Sequence, residues 1–251
     1  MRLLTLARDL RRRKAREKHS LFVAEGVRSV EELLRSGLPI DGALVAPQLA
    51  TAPRGQSLRS GLEAAGVEVA EVSEKDFRGA AETESPQGVI AIARIPARTL
   101  ESLEIGARCR LLVLDALQDP GNVGTIVRTA AALGATATIA LPGTVDLWNP
   151  KVIRSSMGAQ FVHPVVHTSV PELLAYLERA GVELWCADTA GEAIGTALPP
   201  ERLAIALGNE GAGLSPGIRA AARKSVSLPI SSTVESLNVA VAAGIILYHL
   251  R

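Results

Sequence analysis

The chain contains few cysteines and few aromatic residues. Its 251 residues include two Cys, three Phe, two Tyr and two Trp. Cys109 and Cys186 match neither the spacing of a zinc site nor a disulfide framework, so the sequence predicts no metal centre and no disulfide scaffold. No G-x-G-x-x-G follows a candidate strand, and no phosphate-loop lysine pattern occurs. These absences argue against a nucleotide-dependent oxidoreductase, which the strand–glycine–helix pattern alone would allow.

The chain also has no apolar run long enough for a membrane. The most apolar predicted helix is apolar for about 14 residues, short of the ~20 that cross a bilayer. The basic start of the sequence has none of the apolar run of a signal peptide. We therefore expect a cytoplasmic protein with no membrane partner.

The segment LVLDALQDPGNVGTIVRTAAALGA, residues 112–135, predicts a strand, a turn and a helix. The strand, Leu111–Asp115, is a continuous apolar run, which is typical of a parallel sheet covered on both faces. Residues 119–122 are all turn formers, and Gly134 is placed to end the following helix. Arg128 then lies in the second turn of a helix that starts where a strand ends, where ligands of open α/β sheets collect. A surface arginine paired with a carboxylate is the alternative interpretation.

A second segment, LAIALGNEGAGLSP at residues 203–216, repeats this organisation. An apolar strand leads into a loop of three glycines that contains Glu210. Ser215 and Pro216 follow as the N-cap and first residue of another predicted helix.

A third segment, residues 226–250, contains a short strand broken by Pro229, a hydroxyl-rich loop and an apolar helix that begins near Ser236. Three such units place three polar loops side by side at one edge of a sheet. Convergent polar loops over a covered sheet predict a ligand site.

These segments together resemble the SpoU, or TrmH-like, RNA 2'-O-ribose methyltransferases. The similarity rests on N-V-G-T-I-V-R from residue 122, G-N-E-G-A-G-L from residue 208 and L-P-I-S-S-T-V-E-S-L-N-V from residue 228. The segment S-S-M-G-A-Q-F-V-H-P-V at 155–165 also fits, and the resemblance covers residues 110–251. The third motif departs from the Pro-Met-x-Gly of the family at Ile230 and Ser232, which concerns the shape of that loop.

The resemblance implies a fold class and a reaction. The expected fold is α/β, with a C-terminal trefoil-knotted α/β methyltransferase domain and a smaller N-terminal α/β RNA-binding domain. The expected reaction transfers a methyl group from S-adenosyl-L-methionine to a ribose 2'-hydroxyl of RNA. Large-subunit ribosomal RNA is the favoured substrate, because a module of this N-terminal kind often accompanies that choice, and the same chemistry on transfer RNA is the alternative. The family also implies a homodimer formed through the C-terminal domain.

The resemblance nominates two sets of site residues. The catalytic set is Arg128, Asn122, Glu210, Ser236 and Asn238. The cofactor set, which would use backbone groups, is Leu207, Gly208, Leu228, Ile230 and Leu237. For Ser236 and Asn238, plain capping of the last helix is an equal alternative.

Arg128 poses a chemical problem, because a guanidinium is effectively always protonated and makes a poor general base. We expect it instead to clamp the ribose or a phosphate and to stabilise the developing alkoxide. Glu210 and Asn122 are expected to hold it in place.

Residues 1–18 carry the strongest local charge. They contain eight Lys or Arg and two Asp or Glu, a net charge of +6 against +1 for the whole chain. Apolar residues at helical spacing predict one amphipathic helix here, with one docked face and one basic face. A solvated charge run is the alternative to phosphate contact. The predicted RNA-contacting residues are Arg8, Arg11, Arg12, Arg13, Lys14 and Arg16.

Three domain segments are expected: an RNA-binding α/β domain at 1–96, a linker at 97–108 and the methyltransferase domain at 109–251. The first domain should contain helices near 27–36 and 58–65, and strands near 21–24, 43–46, 67–72 and 89–95. A non-catalytic RNA-binding or ribosome-assembly factor with the same fold is the main competing function. The four polar residues Asn122, Arg128, Glu210 and Asn238 argue against it, because a chain without catalysis does not require them.

Overall fold

The computed structural model describes residues 2–231 and 233–250, so Ser232 lies outside the described part of the chain. The chain packs into two units. One takes the residues up to Ala97 together with Trp148–Val162, and the other takes Arg98–Leu147 together with the residues from His163 onward. Residues 98–108, expected as a linker, therefore group with the second unit, where Leu100 is buried. No helix in the described part of the chain is both long and apolar enough to cross a membrane.

The helices and strands follow one another in this order. Up to residue 94 they are α1 (Arg2–Asp9), α2 (Arg13–His19), β1 (Leu21–Glu25), α3 (Val27–Ser36), β2 (Ile40–Val45), α4 (Pro53–Ala64), β3 (Val69–Glu71), α5 (Glu74–Ala80) and β4 (Val89–Arg94). The rest are β5 (Cys109–Asp115), α6 (Pro120–Ala132), β6 (Ala137–Ala140), α7 (Pro150–Ser156), α8 (Ala159–Val162), β7 (Val165–His167), α9 (Val170–Ala180), β8 (Glu183–Ala193), β9 (Arg202–Gly208), α10 (Pro216–Ala221), β10 (Lys224–Ser227) and α11 (Val239–Leu250).

The first unit contains a four-stranded sheet in the order β1-β4-β2-β3. Its strands pair antiparallel except for β2 with β3. The predicted helix at the start of the chain is instead two helices, α1 and α2, although its apolar face docks as expected through buried Leu3, Ala7 and Leu10. Arg16 holds the break between them, because its guanidinium donates to the carbonyl oxygens of Leu10 and Arg11, each at 2.8 Å.

The segment 148–162 contributes α7 and α8 to the first unit. Trp148 packs on Phe22 of β1 with ring centroids 4.6 Å apart, and Phe161 stacks on the same ring at 5.7 Å. Trp148 is buried in this contact. The sequence signal missed this grouping, since the aromatic contacts join residues far apart in the chain.

The second unit is built on a six-stranded, wholly parallel sheet in the order β10-β8-β9-β5-β6-β7. The predicted apolar strand is confirmed as β5, which is buried along its whole length. It pairs with β9 from Cys109 opposite Arg202 to Asp115 opposite Gly208. The carboxyl ends of these two strands therefore meet at one edge, where ligands of open parallel sheets bind.

Two helices start at other residues than the sequence pattern predicts. α6 begins at Pro120, because the Asp119 side chain caps it by accepting from the Asn122 amide at 2.6 Å. Arg128 is consequently in the third turn of α6 rather than the second. α11 begins at Val239 rather than near Ser236, and its first amides are capped by the Asn238 side chain.

A buried arginine anchors the end of α11. Arg110 is 7% exposed, and its guanidinium donates to the carbonyl oxygens of Leu250, Cys109, Pro200 and Glu201. Hydrogen bonds to a charged donor are among the stronger ones in proteins, and buried carbonyls left without a donor are costly. Arg110 thus ties the last helix to the central strand β5.

His163 lies in the core of the second unit and is 4% exposed. Its Nε2 is 2.9 Å from the hydroxyl of Thr138, and Arg98 donates to its carbonyl oxygen at 2.8 Å. Burial first, and the charge of Arg98 second, lower the pKa of His163 from 6.5 to about 4. His163 is thus a buried core residue of the second unit.

We expect this histidine to make the unfolding free energy fall between pH 6.5 and pH 4. The folded pKa lies below the unfolded one, so the unfolded state takes up the proton first as the pH falls. The contribution of neutral His163 is complete above pH 6.5 and amounts to about 3 kcal/mol, of which about 2 kcal/mol is lost by pH 5.

Urea unfolding of the wild type and of His163→Gln at pH 7.5 and pH 5 measures this effect. The wild type should lose about 2 kcal/mol more than the variant over this interval. Equal losses in both proteins would show that His163 does not carry the pH dependence.

Candidate active site

Three loops at the carboxyl edge of the parallel sheet are joined by one amide side chain. Asn122, in the first turn of α6, donates through Nδ2 to the Glu210 carboxylate. Its Oδ1 accepts from Nδ2 of Asn238 at 2.9 Å. The predicted convergence of the three polar loops is confirmed by these two hydrogen bonds.

The loop after β9 is held against the end of β5. Asp115 is 3% exposed, and its carboxylate accepts from the Ser215 amide at 2.7 Å. The next residue, Ala116, has a φ of +58° and offers its carbonyl to Nδ2 of Asn209 at 3.0 Å. Two polar contacts therefore fix where the loop leaves β9 and where it enters α10.

The same loop closes on itself around Gly208. Asn209 and Gly213 exchange backbone hydrogen bonds at 3.0 and 2.8 Å, and Oδ1 of Asn209 accepts from the amides of Gly211 and Ala212. A Cβ on Gly208 would lie 2.4 Å from the carbonyl carbon of Gly213. Glycine is thus required at 208 by the close approach of two backbone segments.

A cavity of about 550 Å³ opens beside these loops, a size typical of small-molecule sites. All five residues of the predicted cofactor set line it, as do Glu210 and Ser236 of the predicted catalytic set. Apolar side chains form one part of its wall, and residues of the segments 208–214, 227–231 and 234–237 form the other. Asn122 and Asn238 lie behind Glu210 through their hydrogen bonds and are not in the lining.

The cavity also contains residues that the sequence analysis missed. Asp188 and Thr189 of β8 and Arg219 of α10 line it, and Arg219 pairs with the Asp188 carboxylate. The pKa of Asp188 is lowered, first by a hydrogen bond from the Ala190 amide and then by Arg219. Only the strand order could have revealed these residues, because β8 lies between β9 and β10 in the sheet.

Arg128 does not take the position that was predicted for it. It is exposed on α6, and within residues 2–231 and 233–250 it has no ion pair or hydrogen bond to a side chain. The expected contact with Glu210 and Asn122 is wrong, since those two residues bond to each other. Arg128 follows Asn122 by six residues, which places it about 120° away around the helix axis.

The basic residues at the start of the chain are mostly engaged within the first unit. Arg16 is 2% exposed and is therefore removed from the set that could contact RNA. Arg8 pairs with Asp76 at 3.2 Å, and Arg11 lies 3.6 Å from Glu82. Like Arg8 and Arg11, the other three members are exposed. Arg12 pairs with Asp9 and Arg13 pairs with Glu17, and Lys14 is the third.

Comparison with known proteins identifies the family. The family model described as the SpoU rRNA Methylase family matches residues 110–248, which is more than half of the chain. The chain belongs to this family. A second model, the MRM3-like substrate binding domain, matches residues 5–91 of this SpoU-family protein.

Relatives resemble the SpoU-family protein over its whole length. It is 35% identical over 245 residues to the 23S rRNA (guanosine(2553)-2'-O)-methyltransferase RlmP of Bacillus subtilis (strain 168), covering 97% of this chain and 94% of that protein. The solved structure of the SpoU methyltransferase AviRb from Streptomyces viridochromogenes, in complex with AdoMet, is 28% identical, with a TM-score of 0.91 and coverage of 99% and 96%. The AdoMet-bound rRNA methyltransferase from Sinorhizobium meliloti is 28% identical, with a TM-score of 0.88 and coverage of 99% and 94%.

We predict that Asn122→Ala loosens the start of α11 without unfolding the unit. Asn238 would lose its side-chain acceptor, and its cap on the amides of Ala240 and Val241 would weaken. Loss of about 1 kcal/mol of hydrogen bonding corresponds to about fivefold faster amide exchange at these two residues.

Hydrogen exchange resolved to single amides measures this change. Thr125→Ala, an exposed position one turn further along α6, is the matched control and should leave the exchange unaltered. If Asn122→Ala has no effect while Asn238→Ala accelerates exchange, then Asn122 does not support the cap.

Proposed function

We propose that this protein is an S-adenosylmethionine-dependent methyltransferase that acts on a ribose 2'-hydroxyl of large-subunit ribosomal RNA. The observation that carries the proposal is the Asn122–Glu210–Asn238 cluster beside a cavity at the carboxyl edge of the sheet. A relative that aligns with 97% of this chain carries the name of a 23S rRNA 2'-O-methyltransferase, and related structures are described with AdoMet bound. A cytoplasmic location is part of this proposal.

The residues of the cavity fit such a cofactor. Leu207, Leu228 and Ile230 supply an apolar wall for an adenine ring, and the irregular backbone beside them can meet the polar edge of the ring. Glu210 and Glu235 also line the cavity and offer negative charge to a cationic ligand. When bound, S-adenosylmethionine supplies an activated methyl group on a positively charged sulfur.

What the protein must add is position and charge. Holding the ribose hydroxyl in line with the methyl group can lower the barrier by about 7–11 kcal/mol relative to the reaction in solution. Asn122 holds the loops of Glu210 and Asn238 in one arrangement, which keeps the cavity edge in a fixed position. This is a positioning role, since Asn122 does not line the cavity.

Arg128 is the group proposed to meet the RNA. Its guanidinium is exposed, and a guanidinium can bind a phosphate or stabilise a hydroxyl that is losing its proton. It would stabilise the developing alkoxide by charge and by hydrogen bonds. The hydroxyl proton would pass to solvent water at this exposed position, and Arg128 would not act as the base. Glu210 and Asn122 support the loops, leaving Arg128 to an incoming ligand.

The choice of ribosomal over transfer RNA is supported by the first unit. The MRM3-like substrate binding domain accounts for residues 5–91, and the relative that carries both regions along its length is named for 23S rRNA. Transfer RNA as substrate and a non-catalytic RNA-binding role remain the competing functions.

We predict that purified protein transfers labelled methyl groups to unmodified 23S rRNA and not to the transfer RNA pool. Arg128→Ala should lower the rate at least 100-fold, the cost typical of removing one oxyanion-stabilising group. Arg128→Lys should recover less than a tenth of the wild-type rate, because an ammonium lacks the forked donor geometry. Arg179→Ala, which removes an exposed arginine paired with Glu101, is the control and should be as active as the wild type.

Each result has a distinct meaning. Nearly full activity of Arg128→Lys would disprove the role of the guanidinium fork. Label in transfer RNA alone would show that transfer RNA, and not ribosomal RNA, is the substrate. RNA binding without label in either pool would favour the non-catalytic function.

A homodimer through the second unit is also proposed. Val241, Ile245 and Tyr248 follow one another at helical spacing on α11, and they are 51%, 41% and 59% exposed. An apolar stripe of this kind on a helix is suited to a twofold interface. The knotted chain path implied by the resemblance likewise stays a prediction.

Sedimentation of the wild type should show a dimer at micromolar concentration, and V241E/I245E should sediment as a monomer because two carboxylates would be buried at the interface. Leu198→Glu, at a position that is 90% exposed and outside α11, should remain dimeric. A wild type that is monomeric at this concentration would contradict the proposal.

A further inference from the structure

A second cavity, of about 280 Å³, lies within the first unit at the carboxyl end of β1. Its walls come from the first turn of α3, the loop 83–87 and the end of α7. Neither the catalytic cluster nor the basic residues of α1 and α2 take part in it. We call it the α3 cavity.

Two residues that line the α3 cavity each carry a buried polar atom without a hydrogen-bond partner in the described part of the chain. Nη1 of Arg154 and Oγ of Ser29 are both shielded from solvent, and neither has a hydrogen-bond partner in the described part of the chain. Buried polar groups in native proteins are nearly always paired, and an unpaired charged donor is especially costly. A ligand with oxygen acceptors inside the cavity would satisfy both groups once their side chains turn toward it.

The charge of the lining favours an anion. Arg28 and Arg154 both line the cavity, which lies at the start of α3. The N-cap position of this ten-residue helix is Gly26, which has no side chain to cap it, and the Val27 amide is met by Oε1 of Gln87 at 2.8 Å. The positive end of the helix adds to the two guanidinium groups.

The one carboxylate in the wall is already engaged. Glu25 accepts from the amides of Glu82 at 2.8 Å and Thr83 at 3.3 Å, and from the Thr83 hydroxyl. These donors hold the loop against β1 and offset the negative charge of Glu25. An anion that enters the cavity would therefore meet two arginines and one carboxylate, and that carboxylate already accepts hydrogen bonds from the loop.

We propose that the α3 cavity binds a backbone phosphate of the RNA substrate. The inference rests on the proposed function and gives the first unit a specific RNA contact. A phosphodiester offers oxygen acceptors that match a guanidinium and a hydroxyl together. The basic residues of α1 and α2 are largely paired with carboxylates or buried, whereas the buried donor of Arg154 awaits an acceptor.

The test is the binding of full-length protein to unmodified 23S rRNA transcript at several KCl concentrations. Arg154→Gln and Arg28→Gln should each weaken binding about tenfold at low salt, the usual effect of one charged hydrogen bond. Each should also reduce the slope of log affinity against log salt by about 0.7–0.9, the value for one phosphate contact.

Arg35→Gln is the matched control. Arg35 lies two turns further along the same helix, is paired with Glu32 at 2.8 Å and does not line the cavity. Its substitution removes the same charge and should change neither the affinity nor the slope. Equal affinities and slopes for all three variants would overturn the proposal.

Further readouts separate this site from the catalytic one. Arg154→Gln and Arg28→Gln should raise the KM for RNA and leave kcat and S-adenosylmethionine binding unchanged. A wild type that binds RNA without methyl transfer refutes the proposed function alone, and the salt slopes still decide the α3 cavity. If Arg154→Gln unfolds at a lower temperature than the wild type, Arg28→Gln and Ser29→Ala test the proposal in its place. Neither of these two substitutions removes a hydrogen bond seen within the described residues.

Inorganic phosphate distinguishes the source of the anion. It should compete weakly with RNA in the wild type and show no effect on the Arg154→Gln protein. If phosphate binds the wild type in a manner that depends on Arg154, but RNA affinity is the same in all variants, the cavity is a small-anion site and the RNA assignment is wrong.

Discussion

The pairing of β5 with β9 along their whole length is the constraint on which the candidate active site depends. It places Asp115 beside Gly208, so the loops that follow both strands leave the sheet at one point. The Asp115 carboxylate then accepts from the Ser215 amide, and Gly208 allows the loop to fold back on its own backbone. A side chain at 208 or a shifted register would move the loop that carries Glu210, and the cavity wall would move with it.

A neutral amide at position 122 suits the junction of the three loops. Asn122 donates to a carboxylate and accepts from another amide at the same time, which neither a carboxylate nor a guanidinium could do. Because the loops are joined in this way, Arg128 is left outside the cluster. Support of the loops and the proposed contact of Arg128 with an incoming ligand thus fall on different faces of the same helix.

In the first unit, the number of basic residues is larger than the number whose charge is available to bind phosphate. The start of the chain carries a net charge of +6, but Arg16 is buried and several neighbours face carboxylates at short distance. Exposed ion pairs contribute little to stability, yet they lower the attraction of a cationic surface for phosphate. Arg154, far along the chain, has instead a buried donor without an acceptor among the residues that the structure describes. The position of a cation relative to its partners therefore matters more than its place in a basic run.

Local sequence patterns were sufficient to predict several of the helices and strands. The helix Val27–Ser36 was predicted with the bounds it has, and the apolar strand that ends at Asp115 and the helix start at Ser215 and Pro216 also agree with the structure. The cofactor set came from resemblance, and its five residues do line one cavity, although their role is still a prediction. The helix α5 was missed, since it has only seven residues and only Phe77 and Ala80 of them are buried.

The sequence by itself determined the parallel α/β character of the second unit, the three polar loops and the family, because apolar periodicity, turn residues and motif order are written locally. Only the tertiary structure decided that 148–162 pack with the first unit, that Arg16 is buried and that Asp188 and Arg219 line the cavity. It also decided that Glu210 bonds to Asn122 and not to Arg128. These outcomes depend on strand order and helix orientation, which bring together residues far apart in the chain and leave no periodic signal in the sequence.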